Sequence, residues 1–159
     1  MLPTLRPGFM VAPPSLQAAR HRAKFVSDWH SPALAQGALA RFIDEGGFAR
    51  HVRRVSAIYR ERHQMLADAI TRDLAGHLEL IPSTTGLHLT ALARNRSADR
   101  IAAIVRRAAD QGVAVQDLSR LAVSAAPQAG IMLGYGAIPA ARIEEGVRLL
   151  RACFDSEEA

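Results

Sequence analysis

The chain has 159 residues, of which 49% are hydrophobic and 22% charged, a globular composition and not that of a disordered chain. That length holds one domain with its own core or a piece of a larger one. No apolar run reaches the length of a membrane span, and the single cysteine, Cys153, excludes an internal disulfide and a cysteine-cluster metal site. The N-terminus lacks a signal-peptide pattern, since Arg6 is followed by prolines and not by a long apolar core, and with this cysteine usage a cytoplasmic location is expected. The net charge is +5 and almost wholly arginine, with Lys24 the only lysine. Such a balance suits a polyanion partner or simply an arginine-rich composition, and no nucleic-acid module accompanies it.

The opening stretch predicts a loop and then a short apolar strand, Phe9 to Val11, closed by Pro13-Pro14. A lone strand needs a sheet to join, so it reads as the last edge of a larger domain. Arg6, just before it, is either a solvated surface arginine or an anion contact.

Three helices are expected next. Ser15 to Phe25 forms one, with Pro14 in its first turn, and Val26 to His30 is a break. Ser31 is the expected N-cap of the second, Pro32 opens it, and it runs from Ala33 to Ile43 until Gly46-Gly47. From Phe48 to Leu74 the apolar positions Phe48, Val52, Val55, Tyr59, Leu66, Ile70 and Leu74 recur at three or four residues, with one gap of seven. That is a long amphipathic helix with Gly76 as its expected C-cap. Its arginines, Arg50, Arg53, Arg54 and Arg60, suit a solvated face or one bridged to a neighbouring lobe better than nucleic acid.

After Gly76 the period changes. His77 to Ile81 and Leu87 to Leu92 read as strands, with Leu87, Leu89 and Ala91 on one face. Ser97 caps a helix through Asp110, with Ile101, Ile104, Val105 and Ala108 as its stripe. Val113-Ala114-Val115 is expected as a third strand, Asp117 to Ala129 as an irregular connection, and Ile131 to Leu133 as a fourth strand. Pro139 opens a last helix that buries Ile143, Val147, Leu150 and Phe154, and the tail from Asp155 is expected to fray. The order implies an α+β fold, a small sheet with helices on one face, preceded by long helices.

The order of short motifs carries a family resemblance. Leu2-Pro3, Leu5-Arg6, Gly8-Phe9 and Ala12-Pro13 resemble the segment after the cofactor lysine in fold-type I, pyridoxal phosphate-dependent aminotransferases. They are similar in particular to the aminotransferase-like domain of MocR-type regulators of the GntR family. His30-Ser31-Pro32 with Gln36 and Ala38-Leu39-Ala40, the run Tyr59-Arg60-Glu61-Arg62, Gly86-Leu87-His88-Leu89, Gly112 to Val115, and Leu133-Gly134-Tyr135 continue the resemblance through the chain. Pro7 departs from it, replacing an apolar residue and removing a backbone N–H.

The resemblance implies the C-terminal part of such a domain. Residues 1–13 would be its last large-domain strand, 14–76 the interdomain helices and 77–159 the small α+β domain. It implies that Arg6 contacts the cofactor phosphate, a role that suits the planar fork of a guanidinium. Gln128 falls where the family holds a substrate or effector carboxylate by arginine, with Arg120 as the alternative counterpart. The Schiff-base lysine of the family would fall just before Met1, and Lys24 reads as a surface lysine, so no catalytic residue is assigned and transamination by this chain alone is not expected. The complete protein would bind pyridoxal phosphate and an amino-acid-like effector, work as a homodimer, and reach DNA through a separate N-terminal domain. Two other readings stay open: part of a true aminotransferase, and an independent non-catalytic interaction domain. The six histidines show no metal-ligand spacing, and Ser31, Ser119 and Ser124 lack a nucleophile-elbow context.

Overall fold

The structure is a computed structural model that describes residues 8–29, 32–84, 86–122 and 128–157. The chain divides into two compact units, Met1–Arg54 and Val55–Ala159.

In the first unit a single 3-10 turn, Pro14–Leu16, leads into α1, Gln17–Asp28. The helix begins after Pro14 because proline tolerates the first turn, where its missing N–H is not needed. It runs through the expected break at Val26 and stops at Trp29, whose φ of 44° no helix accepts. The second helix, α2, is Ala33–Asp44; its expected cap, Ser31, lies outside the described residues. Gly46 turns the chain with a φ of +71°, and Gly47 follows so closely on Phe42 that a Cβ there would meet the ring at 2.4 Å. The expected strand at Phe9 to Val11 does not form: these residues carry no ladder and are exposed. A strand without a neighbour has no partner for its N–H and C=O groups, and this unit contains no strand among its described residues.

The long helix α3, Gly47–Asp73, passes from the first unit into the second. Its last turns bury Leu66, Ala69 and Ile70, and Leu74 follows fully buried. Gly76 is not the left-handed cap expected of it; the chain turns when His77 and Leu78 donate to the Leu74 carbonyl.

The second unit then builds a four-stranded antiparallel sheet from β1 (Leu78–Ile81), β2 (His88–Ala93), β3 (Gln116–Asp117) and β4 (Gly130–Gly134), in the order β1-β2-β4-β3. The register sets Leu80 opposite Ala91, Ala91 opposite Ile131, and Leu89 opposite Leu133. Residues directly opposite share a face, so this side is apolar across β1, β2 and β4, and Asp117 of β3, opposite Ile131, puts a carboxylate at its edge. That side meets α3, α4 (Ala98–Asp110) and α5 (Ile143–Asp155) in one core that includes Ile70, Ile101, Ile104, Leu150 and Phe154. The other side carries Glu79, Thr90 and Met132. The α+β fold with helices on one face of a small sheet is therefore the architecture observed.

Local signals explain most boundaries. The Ser97 Oγ accepts from Arg100 N at 3.4 Å at the start of α4, and Gly112, with φ +80°, ends it. Leu87 falls outside β2 and stays partly exposed. The third strand sits later than expected. Val113 N is taken by the Ala108 carbonyl, 2.8 Å away, to close the end of α4, so Val113 to Val115 make no ladder and pairing starts at Gln116. Asp117 then accepts from Ser119 N at 2.9 Å and from its hydroxyl at 2.7 Å. These bonds start a 3-10 turn over Leu118–Leu121 inside the region expected to be irregular, and they satisfy a carboxylate that is only 5% exposed.

The tail is held in place as far as Glu157, and the rest of the stretch expected to fray lies outside the described residues. Arg107 donates to the Cys153 carbonyl at 3.1 Å, to Ser156 Oγ at 2.6 Å and to Glu157 Oε2 at 3.2 Å, which ties the end of α5 to α4. The Phe154 ring stacks on His77 with centroids 5.3 Å apart, and the Arg96 guanidinium lies 5.3 Å from its centroid.

Candidate functional site

Of the residues singled out from the sequence, Arg6 lies outside the described residues. Gln128 is exposed on the approach to β4, where the adjacent Ala129 carbonyl accepts from Ala93 N at 2.9 Å. Arg120 is exposed on the 3-10 turn after β3. Lys24 is exposed on α1, in the first unit.

Other described residues converge on a polar cleft. A cleft in the second unit is lined by Ser56, Tyr59, Arg60 and His63 of α3, by the loop between β1 and β2, and by Tyr135 after β4. The helix supplies its side because positions 56, 59, 60 and 63 fall at i, i+3, i+4 and i+7 on one face. The Tyr59 ring packs against the core and leaves its hydroxyl at the polar end.

Three elements are locked together here. The Tyr135 hydroxyl donates to the Gly86 carbonyl at 2.8 Å, and burial pushes its pKa above the usual phenol value. His63 Nδ1 lies 3.3 Å from the same oxygen, with the two rings edge to face and their centroids 5.5 Å apart. The phenol proton is committed to Gly86, so the oxygen receives the imidazole N–H, and Nδ1 is the protonated nitrogen. Arg62 Nη1 donates to the Gly136 carbonyl at 2.7 Å, which pins the backbone beside Tyr135 to α3.

Gln128 does not join this cleft. It precedes the Gly130 end of β4, whereas Tyr135 follows the Gly134 end, and a strand of this length separates its ends by roughly 15 Å. In the sequence Arg60 stood out in an arginine face and a family motif, His63 as one of six histidines, and Tyr135 at the end of a strand motif, with no sign that they meet. The helical spacing of Ser56, Tyr59 and His63 was the available signal. Their convergence with Gly86 and Tyr135 was not, since those partners are far along the chain.

No protein-family model matches the chain. It is similar over 97% of its length to the probable rhizopine catabolism regulatory protein MocR of Rhizobium meliloti, with 36% identity and 31% of that protein covered. It is 29% identical over 97% of its length to an HTH-type transcriptional regulator of Bacillus subtilis, covering 32% of it. In three dimensions it superposes on LysN, the α-aminoadipate aminotransferase of Thermus thermophilus, with a TM-score of 0.85 and 26% identity, over 98% of this chain and 39% of that one. The chain resembles one segment of the aminotransferase-like domain of MocR-type regulators. It spans about a third of the length of the relatives it matches.

The chain carries the small-domain fold of a fold-type I aminotransferase. The chain holds one side-chain amine, Lys24, which lies exposed on α1 in a surface shared with Met10, Ala12, Leu16, Ala19, Arg20, Ala23 and Ser27. Arg20 in the same surface is engaged by the Gln17 side-chain oxygen at 2.8 Å. No chemical step through the cofactor follows from these residues.

Proposed function

We propose that this chain belongs to the effector-sensing part of a transcriptional regulator that binds pyridoxal phosphate and an amino-acid-like ligand, and that it acts by binding and not by catalysis. The single observation behind this reading is its similarity to MocR along 97% of its length. In this reading residues 1–13 continue a large domain, 14–76 join the two lobes and 77–159 form the small domain. Arg6 contacts the cofactor phosphate, and Gln128 or Arg120 faces the effector. The active assembly is a homodimer, DNA is bound through a separate N-terminal domain, and the protein works in the cytoplasm. Among the described residues no helix is long and apolar enough to cross a membrane. The apolar side chains exposed on the first unit, Phe25, Val26, Trp29 and Leu34 among them, support a partner surface there.

An aminotransferase reading has the LysN superposition in its favour, but the match to the regulator is closer in sequence, 36% against 26%. Equilibrium dialysis of the protein against pyridoxal phosphate, with and without Arg6→Gln, tests the cofactor contact. Loss of one charge-assisted phosphate contact should weaken binding about tenfold or more. Equal binding by both forms removes Arg6 from the site.

A further inference from the structure

The cleft between α3 and the Tyr135 end of the sheet has the composition of an anion site. Among its described lining residues there is no Asp or Glu. Arg60 is exposed and makes no ion pair among the described residues. Arg62, on the next position of α3, holds the Gly136 carbonyl and likewise meets no carboxylate among the described residues. The hydroxyls of Ser56 and Tyr59 have no hydrogen-bond partner among the described residues. His63 spends Nδ1 on Tyr135, which leaves Nε2 as its available nitrogen.

An unpaired guanidinium and two free hydroxyls along two turns of one helix offer donors and net positive charge, with no carboxylate among the described lining residues. We propose that this cleft binds a small oxyanion, a carboxylate or phosphate group carried by a small molecule, with Arg60 as the charge contact, Ser56 and Tyr59 as hydrogen-bond donors, and the His63 ring, fixed by Tyr135, as part of the wall beside them. The Tyr135–Gly86 and Arg62–Gly136 bonds act as positioning contacts, because they hold the far wall of the cleft to the helix that carries the donors. The site goes beyond the cofactor reading above. It uses neither Arg6 nor Gln128, and it lies wholly within the second unit.

The test is a pair of titrations followed by NMR of the His63 ring in the whole chain, one with inorganic phosphate and one with succinate, against sodium chloride at matched ionic strength. A saturable shift is expected with at least one of the two anions. Phosphate alone identifies a phosphate site, succinate alone a carboxylate site, and both an oxyanion site of either kind. Arg60→Gln should weaken the response about tenfold, as loss of a charged hydrogen-bond donor does, while the exposed Arg106→Gln on α4 should leave it unchanged. Tyr59→Phe keeps the packed ring and should weaken it by a smaller factor. No response beyond that of chloride, or undiminished binding by Arg60→Gln, overturns the proposal. Neither result bears on pyridoxal phosphate, which is absent from these titrations.

Discussion

His63 Nδ1 lies 3.3 Å from the Tyr135 hydroxyl, and that hydroxyl donates its own hydrogen bond to the Gly86 carbonyl at 2.8 Å. One phenol therefore joins α3, the β1–β2 loop and the end of β4. Tyr135→Phe keeps the ring and should cost about 1 kcal/mol in urea unfolding, the net worth of such a hydrogen bond.

The same phenol sets a pH dependence. Burial raises its folded pKa above the ordinary value, so the unfolded chain loses the proton first. The native state then binds more protons than the unfolded one, and stability falls with pH. The tyrosine contribution is complete below about pH 10, the ordinary phenol value, and is lost as pH rises through the raised folded value. Urea midpoints at pH 9 and pH 11 should show a decline that is smaller in Tyr135→Phe; an equal decline in both proteins would assign it to other groups.

Two glycines should respond in opposite directions. Gly130 in β4 has the Ala91 carbonyl oxygen 2.4 Å and Leu92 Cα 3.2 Å from where a Cβ would stand. Gly130→Ala must push β2 and β4 apart and should cost about 1 to 3 kcal/mol, read as a lower thermal midpoint.

Gly146 lies inside α5 with nothing within 4 Å of that position. Gly146→Ala trades backbone entropy for helix propensity and should add about 1 kcal/mol, or roughly 2 to 4 °C in the thermal midpoint. An unchanged or lowered midpoint would mean that α5 needs the glycine for another reason.

Cys153 is fully buried at the end of α5, and burial pushes its thiol pKa up. The thiolate is the reactive form, so the native protein should resist a disulfide reagent such as DTNB. Labelling should proceed at the rate of opening and be independent of reagent concentration at high reagent. Fast labelling proportional to reagent would show that the end of α5 is open in the native state.

How far the sequence could be read depended on the range of the interaction. The stripe Leu66 and Ile70 on α3, continued by Leu74 just after it, and the stripe Ile101, Ile104, Ala108 on α4 were legible because a helix repeats its faces every three to four residues. The strands around Leu89 and Ile131 were legible from alternation and turn residues. The strand expected at Val113 to Val115 moved because its first N–H closes α4 onto Ala108, a competition between two partners that alternation does not show. The strand expected at Phe9 to Val11 failed for the opposite reason, since the pattern was adequate and the neighbour was missing.

By itself, then, the sequence determined the α+β class, the helix faces, most element positions and the kinship to MocR-type domains, because periodicity, caps and ordered motifs are properties of neighbouring residues. Only the tertiary structure decided where the polar cleft lies. His63 reaches Tyr135 across 72 positions and Tyr135 reaches Gly86 across 49. Contacts at such separations are fixed by how the sheet pairs and which face the helices cover, and each of these residues taken alone carries no sign of the others.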